Sequence, residues 1–259
     1  MSEQPVILIT GASSGIGAAT VRLFAGRGYR VALAARRVER LQELAGEIQA
    51  AGGDALPLAV DVSQLEQVQA MIASVLQHFG RLDVVFANAG FGRLDWLENL
   101  DPVQDVQAQI DVNLTGVIWT AQAALPHMLT RRSGHIILMS SVAGYAAPPT
   151  YSVYSATKYA VRAFGNALGR EVKRKGVRVS TICPGPVQTE FGPIAFGKRK
   201  KRFDAPAWLS LSDIQVARAV FGLVRRPRRS LVVPGTMRIA AWVEVLAPGL
   251  VDWVAKWVF

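Results

Sequence analysis

Short apolar runs rich in Val, Ile, Leu and Ala recur along the chain at residues 6–9, 31–34, 56–60, 84–87, 135–139, 177–183 and 231–233. Runs of this length, bounded by polar or Gly-containing stretches, fit strands buried on both faces of a sheet. Between them apolar residues return at three- and four-residue intervals, which predicts helices over 18–27, 40–51, 65–79, 103–129 and 154–175. Strand and helix therefore alternate. The pattern predicts an α/β fold: a doubly wound, Rossmann-like parallel sheet of about seven strands with helices on both faces and a ligand at the carboxyl ends of the strands.

Two stretches break the rhythm. Residues 192–207 carry the basic run Lys198, Arg199, Lys200, Lys201 and Arg202 and read as a mobile loop that could act as a substrate lid or simply add solubility. The tail from 234 onward places Ile239, Trp242, Val243, Leu246, Leu250, Trp253, Val254, Trp257 and Val258 in an apolar helical pattern, divided into two short helices at Pro248-Gly249. We expect one domain over 1–235 and a Trp-rich helical extension of it over 236–259. Such a surface calls for a cover, and both a second subunit and a membrane surface are open.

At 259 residues and 51% hydrophobic, the chain is long enough for one large α/β core. Its single cysteine, Cys183, excludes an intramolecular disulfide and fits a reducing compartment, and the start of the chain carries no signal-like segment, so a cytoplasmic protein is expected. His78, His127 and His135 lie far apart, and no metal is expected. No run of about 18 apolar residues lacks a charge or proline, which argues against a spanning helix. The net charge of +10 favours anionic ligands, lipid surfaces or nucleic acid without choosing among them.

The turn Thr10-Gly11-Ala12-Ser13-Ser14-Gly15-Ile16-Gly17 follows the first strand and opens a helix, where backbone N–H groups and a positive helix end can receive a pyrophosphate. Its glycine spacing is not that of the common dinucleotide fingerprint. About 20 residues on, the second strand ends in Arg36-Arg37 where an acid would hold a ribose hydroxyl, so the sequence points to a 2′-phosphate and to NADP(H) over NAD(H). Arg36 is the stronger candidate; Arg37 could equally be a solvated helix-start residue.

Tyr154 and Lys158 stand four residues apart, on one face of a helix. A phenol titrating near 10 exchanges protons poorly at neutrality, and a nearby ammonium favours its phenolate. Tyr145 and Tyr151 have Pro149 and Ser155 at the same offset, so only Tyr154 has a lysine partner. Ser140 and Ser141 follow the fifth predicted strand and can bring a hydroxyl to the same sheet edge.

These residues, with Asp61-Val62, Asn88-Ala89-Gly90, Asn113 and Pro184-Gly185-Pro186-Val187-Gln188-Thr189, resemble the short-chain dehydrogenase/reductase superfamily in its shorter form, from about residue 6 to 233. The resemblance implies that Tyr154 is the acid/base, that Ser141 binds the substrate oxygen, and that Lys158 binds the nicotinamide ribose while lowering the tyrosine pKa. It implies that Asn113 holds a relay water and that Gly11, Ser13, Ser14, Gly15, Ile16, Gly17, Arg36, Arg37, Asp61, Val62, Asn88, Ala89, Gly90, Pro184, Val187 and Thr189 contact the cofactor. Plainer readings stay open: Asn88 as a residue that serves neighbouring backbone, Asp61 as a helix-start cap with Ser63, and Asn113 as a mid-helix kink residue.

The function expected is hydride transfer between NADPH and a small carbonyl or secondary alcohol, by a homodimer or homotetramer. The alternatives are a nucleotide-binding redox sensor and a peripheral membrane lipid-ketone reductase. Related epimerases and dehydratases of the longer form need a larger C-terminal region than this chain holds. Arg225, Arg226, Arg228 and Arg229 would join the basic run in salt-sensitive nucleic-acid binding, but no recognition module accompanies them, so no specific nucleic acid is expected.

Overall fold

The computed structural model describes residues 4–196 and 209–258. Nine strands are present among them: β1 (Val6–Thr10), β2 (Arg30–Ala35), β3 (Ala55–Ala59), β4 (Val84–Ala87), β5 (Gly134–Met139), β6 (Val177–Pro184), β7 (Val187–Gln188), β8 (Leu211–Ser212) and β9 (Ser230–Val233). Seven form one parallel sheet in the order β3-β2-β1-β4-β5-β6-β9, and β7 pairs with β8 apart from it. Strand order reverses between β1 and β4. Such a reversal opens a crevice at the carboxyl ends of the strands.

The apolar runs are strands because both faces of the sheet are covered. In β1 alternate side chains enter opposite layers, Val6 and Leu8 on one side and Ile7 and Ile9 on the other, all fully buried. The first layer is closed by α3 (Leu65–Phe79), α5 (Gly116–Thr130) and α6 (Ser152–Val172), through Val68, Met71, Val75, Ala121, Met128 and Val161. The second is closed by α1 (Gly15–Ala25), α2 (Val38–Ala50) and α8 (Asp213–Arg225), through Val21, Phe24, Leu41, Leu44, Val216 and Val220. Each buried side chain of this kind contributes roughly 1.5–3 kcal/mol, which makes the sheet a rigid platform for the loops at its edge. Pro57 lies in β3, an outer strand with one neighbour, where a missing N–H costs no ladder bond on the open side.

Three expectations need correction. The helix expected over 103–129 is broken into a π-turn at Pro102–Gln107, a short α4 (Ala108–Ile110), a second π-turn at Asp111–Thr115, and α5. Each π-turn takes an extra residue that an apolar period does not reveal, and such turns cluster at functional sites. The first helix starts at Gly15, not 18, so the glycine turn is itself the helix start. In the segment expected to be a loop from 192, residues up to Phe196 belong to α7 (Phe191–Phe196); the basic run 198–202 lies outside the described residues.

After β9, the chain forms α9 (Arg238–Leu246) and α10 (Pro248–Val258), with proline at the first position of the second helix, where its lost N–H is harmless. Among the described residues no helix is long and apolar enough to cross a membrane.

Candidate active site

The crevice between β1 and β4 is knitted together by Thr10 and Asn88. The backbone N–H groups of Asn88 and Ala89 donate to the Thr10 hydroxyl at 3.0 and 3.1 Å, and the Asn88 amide donates to the Thr10 carbonyl at 2.9 Å. The reading of Asn88 as a backbone-satisfying residue therefore matches its contacts. Gly11 has φ +66°, and a Cβ there would lie 2.8 Å from Ala89 Cα; a Cβ on Gly17 would lie 2.2 Å from the Gly11 carbonyl oxygen. Only glycine allows both approaches.

This turn leads into α1, eleven residues long, whose N-cap Ser14 makes no capping bond to the helix. Its hydroxyl instead accepts from Arg37 at 2.6 Å, and Ser13 accepts from the same guanidinium at 3.1 Å. The first N–H groups of α1 thus have no side-chain cap beside an ordered arginine, which fits the pyrophosphate and 2′-phosphate of a dinucleotide. Arg36 projects into solvent, 72% exposed, with Asp61 at 3.9 Å. Asp61 accepts from both the backbone and the hydroxyl of Ser63, at 3.0 and 2.7 Å, in a local turn; α3 begins after it with Gln64 as N-cap and no side-chain cap, so Asp61 is not the helix cap the plainer reading expects. Val62 is buried against Gly116, where any Cβ would lie 2.8 Å from the Val62 carbonyl oxygen. Thr189 packs on Gly15, Val187 lies in β7, and the Pro184 carbonyl faces the Ser141 hydroxyl at 3.4 Å.

On the other side of the crevice, Ser141, two residues beyond β5 in extended conformation, accepts from the Ala143 N–H at 3.1 Å, starting a turn that brings its hydroxyl to Tyr154 on α6. Its neighbour Ser140 donates to the Lys158 carbonyl at 2.8 Å, fixing α6 against β5. A Cβ on Gly144 would lie 2.7 Å from that carbonyl, so the turn and helix touch through backbone. Tyr154 and Lys158 are nearly fully buried on one face of α6, with the ammonium 5.5 Å from the phenol ring centre and donating to the Met139 carbonyl at 3.2 Å.

Burial dominates both groups. It pushes the Tyr154 phenol well above its ordinary value, with the hydrogen-bonding Ser141 hydroxyl pulling the other way. It lowers the Lys158 ammonium from 10.5 to about 8. Desolvation is thus the largest influence on the Tyr154 phenol and on the Lys158 ammonium, which it weakens as a cation. Gly90 brings the loop after β4 close, since a Cβ there would sit 3.0 Å from Asn113 Oδ1 and 3.3 Å from Lys158 Nζ. Asn113, fully buried in the second π-turn, spends its amide on Phe91, accepting from its N–H at 2.9 Å and donating to its carbonyl at 2.8 Å. Its side chain is a clamp on that loop.

Side chains of the segments after Thr189, around 91–96 and around 143–151 complete the cleft. Tyr151, Phe191 and Phe196 surround the phenol, with Tyr154–Phe191 ring centres 5.5 Å apart, and Leu94, Ala143 and Ala195 extend the apolar wall. Glu190 pairs with Arg37 at 3.0 Å and with Arg40 at 2.8 Å. Glu190 directly follows Thr189 and Arg40 falls one turn after Arg37, which are the only local signals for either.

The family description "short chain dehydrogenase" matches residues 5–196, a span that includes Tyr154, Lys158, Ser141 and the glycine turn. The chain belongs to the short-chain dehydrogenase family. This short-chain dehydrogenase is 41% identical over 190 residues to an uncharacterized oxidoreductase of Listeria innocua, covering 73% of its own length and 76% of the relative's. It resembles an alcohol dehydrogenase of Thermococcus sibiricus complexed with 5-hydroxy-NADP, at 35% identity and TM-score 0.78 over 89% of this chain and 96% of that one. It also resembles a short-chain dehydrogenase/reductase of Burkholderia phymatum in complex with NAD, at 26% identity and TM-score 0.86 over 96% of each chain. As a short-chain dehydrogenase, the protein is an oxidoreductase acting on alcohol or carbonyl groups of small molecules; the two structures it resembles hold 5-hydroxy-NADP and NAD.

Proposed function

We propose that this short-chain dehydrogenase uses NADPH in preference to NADH and reduces an apolar ketone or aldehyde, with Tyr154 as the proton donor. The observation that carries the reading is the convergence of Ser141, Tyr154 and Lys158 at the sheet edge, together with arginines and no acid at the end of β2. When bound, the cofactor supplies the hydride. The Ser141 hydroxyl donates to the substrate oxygen and holds it against the phenol. Tyr154 gives its proton to that oxygen as the carbonyl becomes an alcohol, and takes it back in oxidation. Lys158 holds the nicotinamide ribose, and Asn113 fixes the Phe91 loop beside it. Gly11, Gly15 and Gly17 keep the pyrophosphate path clear, while Arg36 and Arg37 receive the 2′-phosphate. The aromatic wall of Tyr151, Phe191 and Phe196 excludes water and favours an apolar substrate. Measuring NADPH oxidation against steroids, acyl thioesters, sugars and small diketones tests this; turnover only of sugars, or none of the panel, would contradict it.

The tail supports a further part of the reading, as an extension of the same domain from 236. Ile239, Trp242 and Leu246 on α9, and Leu250, Trp253 and Trp257 on α10, repeat one i, i+3, i+7 stripe, and all are more than half exposed. The tail emerges from β9, the edge strand of the sheet. We propose that a second copy of the chain covers these stripes, giving a homo-oligomer. Deletion of residues 237–259 should then lower the mass in solution; an unchanged mass, with the intact protein floating on anionic liposomes, would instead make it a peripheral membrane reductase.

A further inference from the structure

Arg37 and Arg40 stand on the same side of the start of α2, and each takes one oxygen of Glu190: Arg37 at Oε2, 3.0 Å, and Arg40 at Oε1, 2.8 Å. The two guanidiniums hold this carboxylate so firmly in its ionised form that its pKa falls to about 2, although all three side chains are close to half exposed. Arg37 is oriented by Ser13 and Ser14, at the mouth of the glycine turn; the cleft of about 400 Å³ there has Ser13, Ser14, Gly15, Arg40 and Glu190 in its lining, and also the acids Glu43, Glu47 and Asp213. Two guanidiniums sharing two anionic oxygens is the arrangement that also receives a phosphate monoester.

Ion pairs this exposed exchange partners readily, because water and salt screen them. Glu190 is also placed to transmit the exchange. It is followed at once by Phe191, whose ring lies against Tyr154 and whose helix is tied to the loop after β4 by Leu94 N–H donating to the Ala195 carbonyl at 2.9 Å.

We infer that Glu190 is an internal stand-in for the 2′-phosphate, a specificity-determining residue that competes with it for Arg37 and Arg40. The inference rests on the proposed preference for NADPH, and it adds that the affinity for a 2′-phosphate is held down by this carboxylate. Glu190 is outside the proton-transfer group, and Glu190→Gln keeps its shape while removing its charge.

Isothermal titration of the full chain with adenosine 2′,5′-bisphosphate and with 5′-AMP separates the two ideas. Glu190→Gln should tighten the bisphosphate by about fivefold or more, a size in keeping with one or two exposed ion pairs, and leave 5′-AMP within twofold. If the unmutated protein does not discriminate and Glu190→Gln gains preference for the bisphosphate, the competition stands and the NADPH reading falls. If the unmutated protein discriminates and Glu190→Gln keeps the same ratio, the NADPH reading stands and the competition is overturned. Equal tightening of both nucleotides, or no discrimination in either protein, also overturns it. Glu190→Ala should behave as Glu190→Gln does, with an unchanged melting temperature excluding a folding effect.

Discussion

At one end of the crevice Tyr154 and Lys158 are nearly waterless, and their proton affinities are set by desolvation. At the other end Arg36, Arg37, Arg40 and Glu190 stand between 43% and 72% exposed; Glu190 pairs with Arg37 and Arg40, and Arg36 with Asp61. The first arrangement is built by the packing of α6 on β5, so it exists whatever is bound. The second is made of partners that can be exchanged. The proposed function places chemistry in a rigid, low-dielectric site and choice of cofactor in a wet, electrostatic one.

The largest effect should come from the buried end. Tyr154→Phe removes the transferable proton and nothing else, so turnover should fall by roughly 10²–10⁴-fold while the NADPH dissociation constant changes little. Steady-state kinetics beside titration would read both; substantial activity in the purified variant would break the assignment. Lys158→Ala should harm turnover and binding together.

Burial of Lys158 also has a signature in stability. Its pKa is about 8 in the fold against 10.5 ordinarily, so the unfolded chain holds more protons between these values. Lys158 should therefore add stability with rising pH across that window, opposed above about 9 by Cys183 and above about 10 by Tyr154, whose raised pKa values act in the opposite sense. Urea midpoints at pH 7.5 and 9.5 should show the rise in the unmutated protein and lose it in Lys158→Met. An equal rise in both proteins would place the titration elsewhere.

At the exposed end the effects should be smaller. Arg36→Asp should cut the preference for NADPH over NADH by about tenfold, or 1.4 kcal/mol. NADH binding as tightly as NADPH to the unmutated protein would remove the basis for it. Smaller still, 0.5 M salt should weaken NADPH binding severalfold and leave turnover at saturating cofactor within twofold, because screening reaches the arginines and not the buried pair. Equal salt sensitivity of both constants would erase the contrast.

The same contrast governs what was legible in the sequence. The strands of the main sheet are parallel and covered on both faces, so their apolar runs stand out. Tyr154 and Lys158 were legible because their relation is local, one turn of one helix. The Glu190 pairs with Arg37 and Arg40 join residues about 150 positions apart, and no local pattern carries them. The two π-turns before α5 were hidden because one inserted residue leaves an apolar repeat nearly unchanged. Asn113 was singled out, yet its commitment to Phe91 depends on how the loop after β4 folds back. The sequence shows a cation one turn from Tyr154, but how dry the site is depends on tertiary packing that no local pattern carries.

Hydride transfer itself is the most direct test. The unmutated protein and Tyr154→Phe would each be incubated with NADPH deuterated at the transferable position and the carbonyl panel, and the alcohols analysed by mass spectrometry. The unmutated protein should place one deuterium on the carbinol carbon of an apolar substrate, and Tyr154→Phe almost none. No labelled alcohol from any carbonyl, or equal labelling by both proteins, would contradict it.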